Sequence, residues 1–175
     1  MLEKHNKLIN FILFQVGWFA CVLGGNTIAL ATTIAILAVH LTVVTSWKKE
    51  RELLVVTLLV GSAIDSFLGN LNILQFPGDS RVLPLWLACL WVLFGTTLRH
   101  SMDWTGTHKL LGSLGGMIAG PLSYLAGSKL SDISLAQPQW QTLLILAVIW
   151  ALVIPMLQTF SAIWLEKYQR TQKQP

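Results

Sequence analysis

Leu53–Leu74, LLVVTLLVGSAIDSFLGNLNIL, is the stretch whose reading decides the fold. A helix over it would reach about 33 Å, enough to cross a hydrocarbon core. Asp65 stands at its middle. On a helical wheel, Asp65, Ser66 and Gly69 fall within about 60° of Ser62, with Gly61 and Asn72 at the margin. Leu53, Val56, Val60, Ile64, Phe67 and Leu71 occupy the opposite side. The pattern predicts one face turned to lipid and the other to neighbouring helices. An ionised carboxylate at that depth costs about 3 kcal/mol on insertion scales, so Asp65 needs partners, water or a proton.

The rest of the composition agrees with a membrane class. Of the 175 residues 54% are hydrophobic and only 11% charged, with a mean hydropathy of +0.62. Soluble domains average about 25% charged residues. The net charge of +4 is spread over short segments between apolar runs, without the basic-aromatic patch of a nucleic-acid binder, so no nucleic-acid partner is expected. Cys21 and Cys89 lie inside apolar runs and suggest neither a disulfide nor a metal site.

The first apolar run, 8–23, follows Lys4 and Lys7 and superficially resembles a signal peptide. Asn10, Gln15 and Trp18 interrupt it, and the small-residue pattern Ala29-Leu30-Ala31 lies in the next apolar segment, so it reads as a retained helix. Gly24-Gly25-Asn26 is turn chemistry and predicts an antiparallel hairpin into a second helix, 27–46. Further helices are expected at 53–74, 83–100, 109–126 and 140–164, followed by a loose polar tail at 166–175. The fold class is therefore all-α: one domain over 1–175, a polytopic bundle of six transmembrane helices. Gly112, Gly116 and Gly120 form a ridge suited to close helix packing, and Pro121 and Pro155 are kink candidates.

Six spans put both termini on one side. Lys4, Lys7, Lys48, Lys49, Arg51, Arg99, Lys109, Lys167, Arg170 and Lys173 then fall with the termini, and Arg81 and Lys129 opposite. The positive-inside rule makes both ends cytoplasmic. The similar Trp18-Phe19-Ala20-Cys21 and Trp86-Leu87-Ala88-Cys89 sit at the same depth, which an inverted repeat would not give.

Candidate chemistry falls in two places. Asp65, Ser62, Ser66, Gln15, Trp18 and His40 would line an intramembrane polar cavity. Arg99, His100 and Thr97, at the cytoplasmic end of helix four, suit a lipid phosphate or an acidic substrate. His100, Asp103 and His108 form a weaker metal-site candidate. A bis-histidine haem would have to use His40 and His100, whose depths differ by a helical turn or more, so no cofactor is expected. Gly-x-Ser-x-Gly, His-Glu-x-x-His, P-loop and Cys-x-x-Cys motifs are all missing. No catalytic residue is assigned.

Phe14-Gln15-Val16-Gly17-Trp18-Phe19, Asp65-Ser66, Pro84-Leu85-Trp86-Leu87, Thr96-Thr97-Leu98-Arg99-His100-Ser101 and Gly120-Pro121-Leu122-Ser123-Tyr124 together resemble a bacterial inner-membrane family. It is the domain of unknown function 2878, and the likeness spans nearly the whole chain. The resemblance brings no activity with it. Members are often encoded beside cyclopropane-fatty-acid synthase-like and envelope proteins, which implies a link to membrane-lipid modification or envelope stress. The leading expectation is an accessory protein that binds a lipid or amphiphile, with membrane lipids and other membrane proteins as partners. A substrate-binding subunit of a small-molecule transporter and a small lipid-acting enzyme are the alternatives.

Overall fold

The computed structural model describes residues 2–173. Gln174 and Pro175, at the end of the expected polar tail, lie outside the described residues, as do the side chains of Lys4 and Lys173. The chain is 83% helical, which leaves no material for a sheet core. Four helical stretches are long and apolar enough to cross a membrane: His5–Val44, Trp47–Asn70, Lys109–Leu130 and Gln139–Gln172.

The first of these is folded back on itself. Helix α1 runs Leu2–Val39, broken at Gly25, whose φ of 64° and ψ of −172° are open to glycine alone. Cys21 Sγ lies 4.0 Å from Thr33 Oγ1, two atoms that a straight helix would hold roughly 18 Å apart. A Cβ placed on Gly17 would lie 2.9 Å from Ile36 Cδ1. The two arms of α1 are thus an antiparallel hairpin, turned by the Gly24-Gly25-Asn26 segment. A π-helical turn, His40–Val44, ends the second arm.

Helix α2, Trp47–Asn70, begins earlier than the expected 53, because the charged Trp47–Glu52 run forms its opening turns instead of a loop. It ends earlier than 74 because the chain turns at Asn72, which has a positive φ of 54°. Asp65 therefore sits roughly 27 Å from the start of α2 and about 8 Å from its end, not at its middle. The buried face also differs from the wheel. Glu50, Leu53, Leu54, Thr57, Gly61, Asp65, Leu68 and Gly69 are buried, and Val55, Leu59, Ala63 and Phe67 are exposed. That face is rotated by about 90° from one centred on Ser62. In a membrane, leucines and glycines pack against other helices as readily as serines do, so side-chain polarity alone misplaces the seam.

Helix α3, Leu85–Thr97, is short and apolar on every side, the pattern of a helix enclosed by others. Trp86, Leu87, Cys89, Trp91, Leu93 and Phe94 are all buried. Its flanks, expected to be helical over 83–100, are extended before Leu85 and a series of turns after Thr97. A four-residue helix α4, Trp104–Thr107, leads into α5, Lys109–Leu130. Helix α6, Gln139–Lys173, continues well past the expected 164, and Arg170 pairs with Glu166 at 2.5 Å in its last turns. Pro121 and Pro155 lie within α5 and α6. Strands β1, Leu74–Gln75, and β2, Ser134–Leu135, pair antiparallel and clip the α2–α3 connection to the α5–α6 connection. Two residues are too few to show an alternating pattern, so the sequence reads them as loop.

Two tryptophans fill the centre. The rings of Trp91 and Trp150 stack with centroids 5.2 Å apart and planes 7° apart. Room for them comes from glycine. A Cβ on Gly61 would lie 1.9 Å from the Trp91 ring, and one on Gly120 would lie 2.1 Å from that of Trp150. Gly116 meets the Trp150 carbonyl and Gly112 meets Thr105, so the glycine ridge packs α5 on α6 and α4. Gly120→Ala should destabilise the bundle by about 1–3 kcal/mol through overpacking. Gly127→Ala, whose Cβ meets nothing within 4 Å, should leave stability unchanged. Thermal unfolding in detergent compares the two.

Candidate functional site

The carboxylate of Asp65 is fully buried and bridges two aromatic donors. Trp91 Nε1 donates to Oδ2 at 2.6 Å, and the Tyr124 hydroxyl donates to Oδ1 at 2.5 Å. Helices α2, α3 and α5 are joined at this point, and the stack of Trp91 on Trp150 adds α6. Each carboxyl oxygen thus has a hydrogen-bond partner within the protein. Ser62 and Ser66 are half-buried at the edge of this face. Ser66 Oγ accepts the Leu83 amide at 3.3 Å and does not reach into the Asp65 group.

Gln15 and Trp18 lie on the first arm of α1, away from Asp65. Trp18 Nε1 donates to Ser123 Oγ of α5 at 3.0 Å. Around this bond a cleft of about 560 Å³ separates that arm from α5, lined by Phe14, Gln15, Trp18, Phe19, Phe94, Trp104, Gly115, Ser123 and Trp150 among others. A smaller cavity of about 70 Å³ lies behind it, bounded by Trp18, Trp86, Trp91, Tyr124 and Trp150. The aromatic wall of the cleft is thus also the shell around the Asp65 bonds.

His40 is not part of that cavity. It is fully buried beside His100, with ring centroids 5.0 Å apart and planes at 85°. The sequence separates these two residues by depth; the π turn after Val39 and the turns after Thr97 bring them level. Glu50, also fully buried, completes the group, with Oε1 3.2 Å from His100 Nε2 and 3.2 Å from the Thr45 hydroxyl that donates to it. Donor atoms of His40, Glu50 and His100 all lie within 4.8 Å of one another. Among the described residues, neither His40 ring nitrogen has a hydrogen-bond partner, nor does Glu50 Oε2. A buried polar atom left so costs about 1–3 kcal/mol. Glu50 is the member that the sequence reading missed, because Trp47–Glu52 looks like an ordinary charged loop.

Arg99, expected at the headgroup level, is turned inward, with its side chain only 5% exposed. It donates to Ser161 Oγ and to the Ser161 carbonyl, both at 2.9 Å, and to the Lys49 carbonyl, and lies 4.0 Å from Glu50 Oε2. Those bonds tie the turns after α3 to α2 and α6, and they take the guanidinium away from any lipid phosphate. Thr97 is buried too, donating to the Phe94 carbonyl at 2.7 Å. The alternative metal set is dispersed: Asp103 pairs with Lys7 at 2.7 Å, and His108 is exposed beside Thr107. Unforeseen from sequence is Gln158, whose amide donates to the Leu98 and Met102 carbonyls and to Thr105, pinning the turns after α3.

A family model for proteins of unknown function, DUF2878, matches residues 7–156. The chain belongs to that family. No curated protein and no solved structure matches it. The matched region of this DUF2878 protein contains the Asp65 bonds, the cleft and the His40–Glu50–His100 group entire; Gln158 and Ser161 fall beyond it.

Asp65→Ala should leave the Trp91 and Tyr124 donors unpaired and lower stability by about 2–5 kcal/mol. Asp65→Asn, which keeps an acceptor, should cost less. In a double-mutant cycle, Asp65→Ala and Tyr124→Phe should be less than additive. Unfolding midpoints of the four proteins provide the test, and strict additivity would separate the two residues energetically.

Proposed function

We propose that this DUF2878 protein crosses the bacterial inner membrane six times, with both termini in the cytoplasm, and holds a lipid or other amphiphile in the cleft between the first arm of α1 and α5. Six helical segments support the span count: two arms of α1, then α2, α3, α5 and α6. The segregation of lysine and arginine supports the orientation.

The cleft is the observation that carries the ligand reading. Its volume of about 560 Å³ lies within the range of small-molecule sites, and its walls are mainly aromatic and glycine. Phe19, Trp104 and Leu122, which line it, are exposed on the bundle's outer surface, where a bilayer would lie. From Gly112 to Ser123 the α5 wall runs about 17 Å. In the proposed orientation Trp104 and Thr105 stand at the cytoplasmic interface and Ser123 deeper. An acyl chain fits the long apolar wall, with its polar end near Trp104. Such a protein would serve membrane-lipid modification or the envelope as an accessory factor, presenting an amphiphile to a partner.

Gly115 offers a selective probe, because a Cβ there meets only the Trp104 ring, at 3.9 Å. Gly115→Phe should fill the cleft while leaving the α5–α6 seam intact. Native mass spectrometry of the purified protein should then show at least about tenfold less retained lipid than wild type. Equal lipid retention by the folded variant would refute binding in the cleft. Independently, a green fluorescent protein fused after Pro175 should fluoresce, and alkaline phosphatase fused after Gly78 should be active. The reverse pattern would overturn the topology.

A further inference from the structure

We propose that His40, Glu50 and His100 form a binding site for a divalent first-row transition metal, with zinc the simplest occupant. The site is separate from the amphiphile cleft and does not depend on it. Imidazole nitrogen and carboxylate oxygen are the donors that such ions take, and two histidines with one carboxylate make an open, three-ligand set.

The spacing fits an ion. Two ligands about 2.0–2.1 Å from a tetrahedral metal stand roughly 3.3–3.4 Å apart, and His100 Nε2 lies 3.2 Å from Glu50 Oε1. Two imidazoles on one such ion have centroids roughly 5 Å apart; those of His40 and His100 are at 5.0 Å. The remaining donors, within 4.8 Å, close to ligand distance by a turn of the His40 ring.

The independent observation is His40 itself. Its side chain is fully buried, and neither ring nitrogen has a hydrogen-bond partner among the described residues. Histidine is rarely enclosed this way without a ligand for one nitrogen. Its backbone belongs to a π-helical turn, a distortion that tends to accompany functional positions. Around the carboxylate, the Thr45 hydroxyl bonds to Oε1 and Arg99 lies 4.0 Å from Oε2, an outer layer that fixes Glu50 in orientation. Three protein donors leave a fourth position for water or a substrate oxygen, as in metal sites that act on substrates.

The test uses the full-length protein in detergent, freed of any affinity tag, supplemented with Zn²⁺ and dialysed. Elemental analysis should find about one zinc per chain. His40→Phe and Glu50→Gln should each retain at least about tenfold less, while the exposed His108→Ala retains the wild-type amount. Titration of wild type with Co²⁺ should give visible d–d bands that saturate at about one equivalent. This reading stands without any variant, should those misfold. Wild type that retains no zinc and shows no cobalt bands would overturn the site. So would a His40→Phe protein of wild-type elution volume that keeps its full metal.

Discussion

Hydrocarbon offers nothing to a polar group, and the burial of Asp65 is the constraint that the centre of this bundle satisfies. Its two oxygens take up the indole N–H of Trp91 and the hydroxyl of Tyr124. Each donor belongs to a different helix, so placing the acid also sets α2 against α3 and α5. Trp91 then stacks on Trp150, which carries the arrangement to α6. Large rings at a crowded centre demand missing side chains elsewhere. Gly61 and Gly120 supply that room, and the polar bond and the glycine contacts are parts of one construction.

A second polar region lies toward the other end and solves a different problem. Helix α3 is short, and the turns that follow it carry backbone groups that lipid would leave unpaired. Gln158 and the side chain of Asn10 take several of them: Asn10 bonds to the Thr96 carbonyl, the Ser101 amide and the Ser101 hydroxyl. Arg99, within those turns, donates to the Lys49 carbonyl of α2 and the Ser161 carbonyl of α6. Against this pairing, neither His40 ring nitrogen nor Glu50 Oε2 has a hydrogen-bond partner among the described residues. That contrast gives the His40–Glu50–His100 group its chemical interest.

The two regions differ in how their polar atoms are paired. The Asp65 bonds are saturated, with short contacts to both oxygens, and act as a structural tie beneath an aromatic cleft. The cleft is apolar and faces outward. The His40–Glu50–His100 group lies apart from that aromatic wall.

Sequence alone determined the membrane class, the hairpin at Gly24-Gly25-Asn26, the glycine ridge of α5 and the membership of the family. The first three are written in composition or in local pattern (an apolar run, a turn triplet, a four-residue repeat), and the last in the resemblance of several short motifs. The face of α2 that turns inward was not legible, because in lipid both polar and apolar side chains make helix contacts. Nor was the company of Asp65, whose partners lie 26 and 59 residues away. Arg99 reads as a headgroup cation until the carbonyls of Lys49 and Ser161 are placed beside it. His40, Glu50 and His100 come together only once α1, α2 and the turns after α3 have packed, since a meeting of side chains so far apart in the chain is decided by tertiary contacts alone.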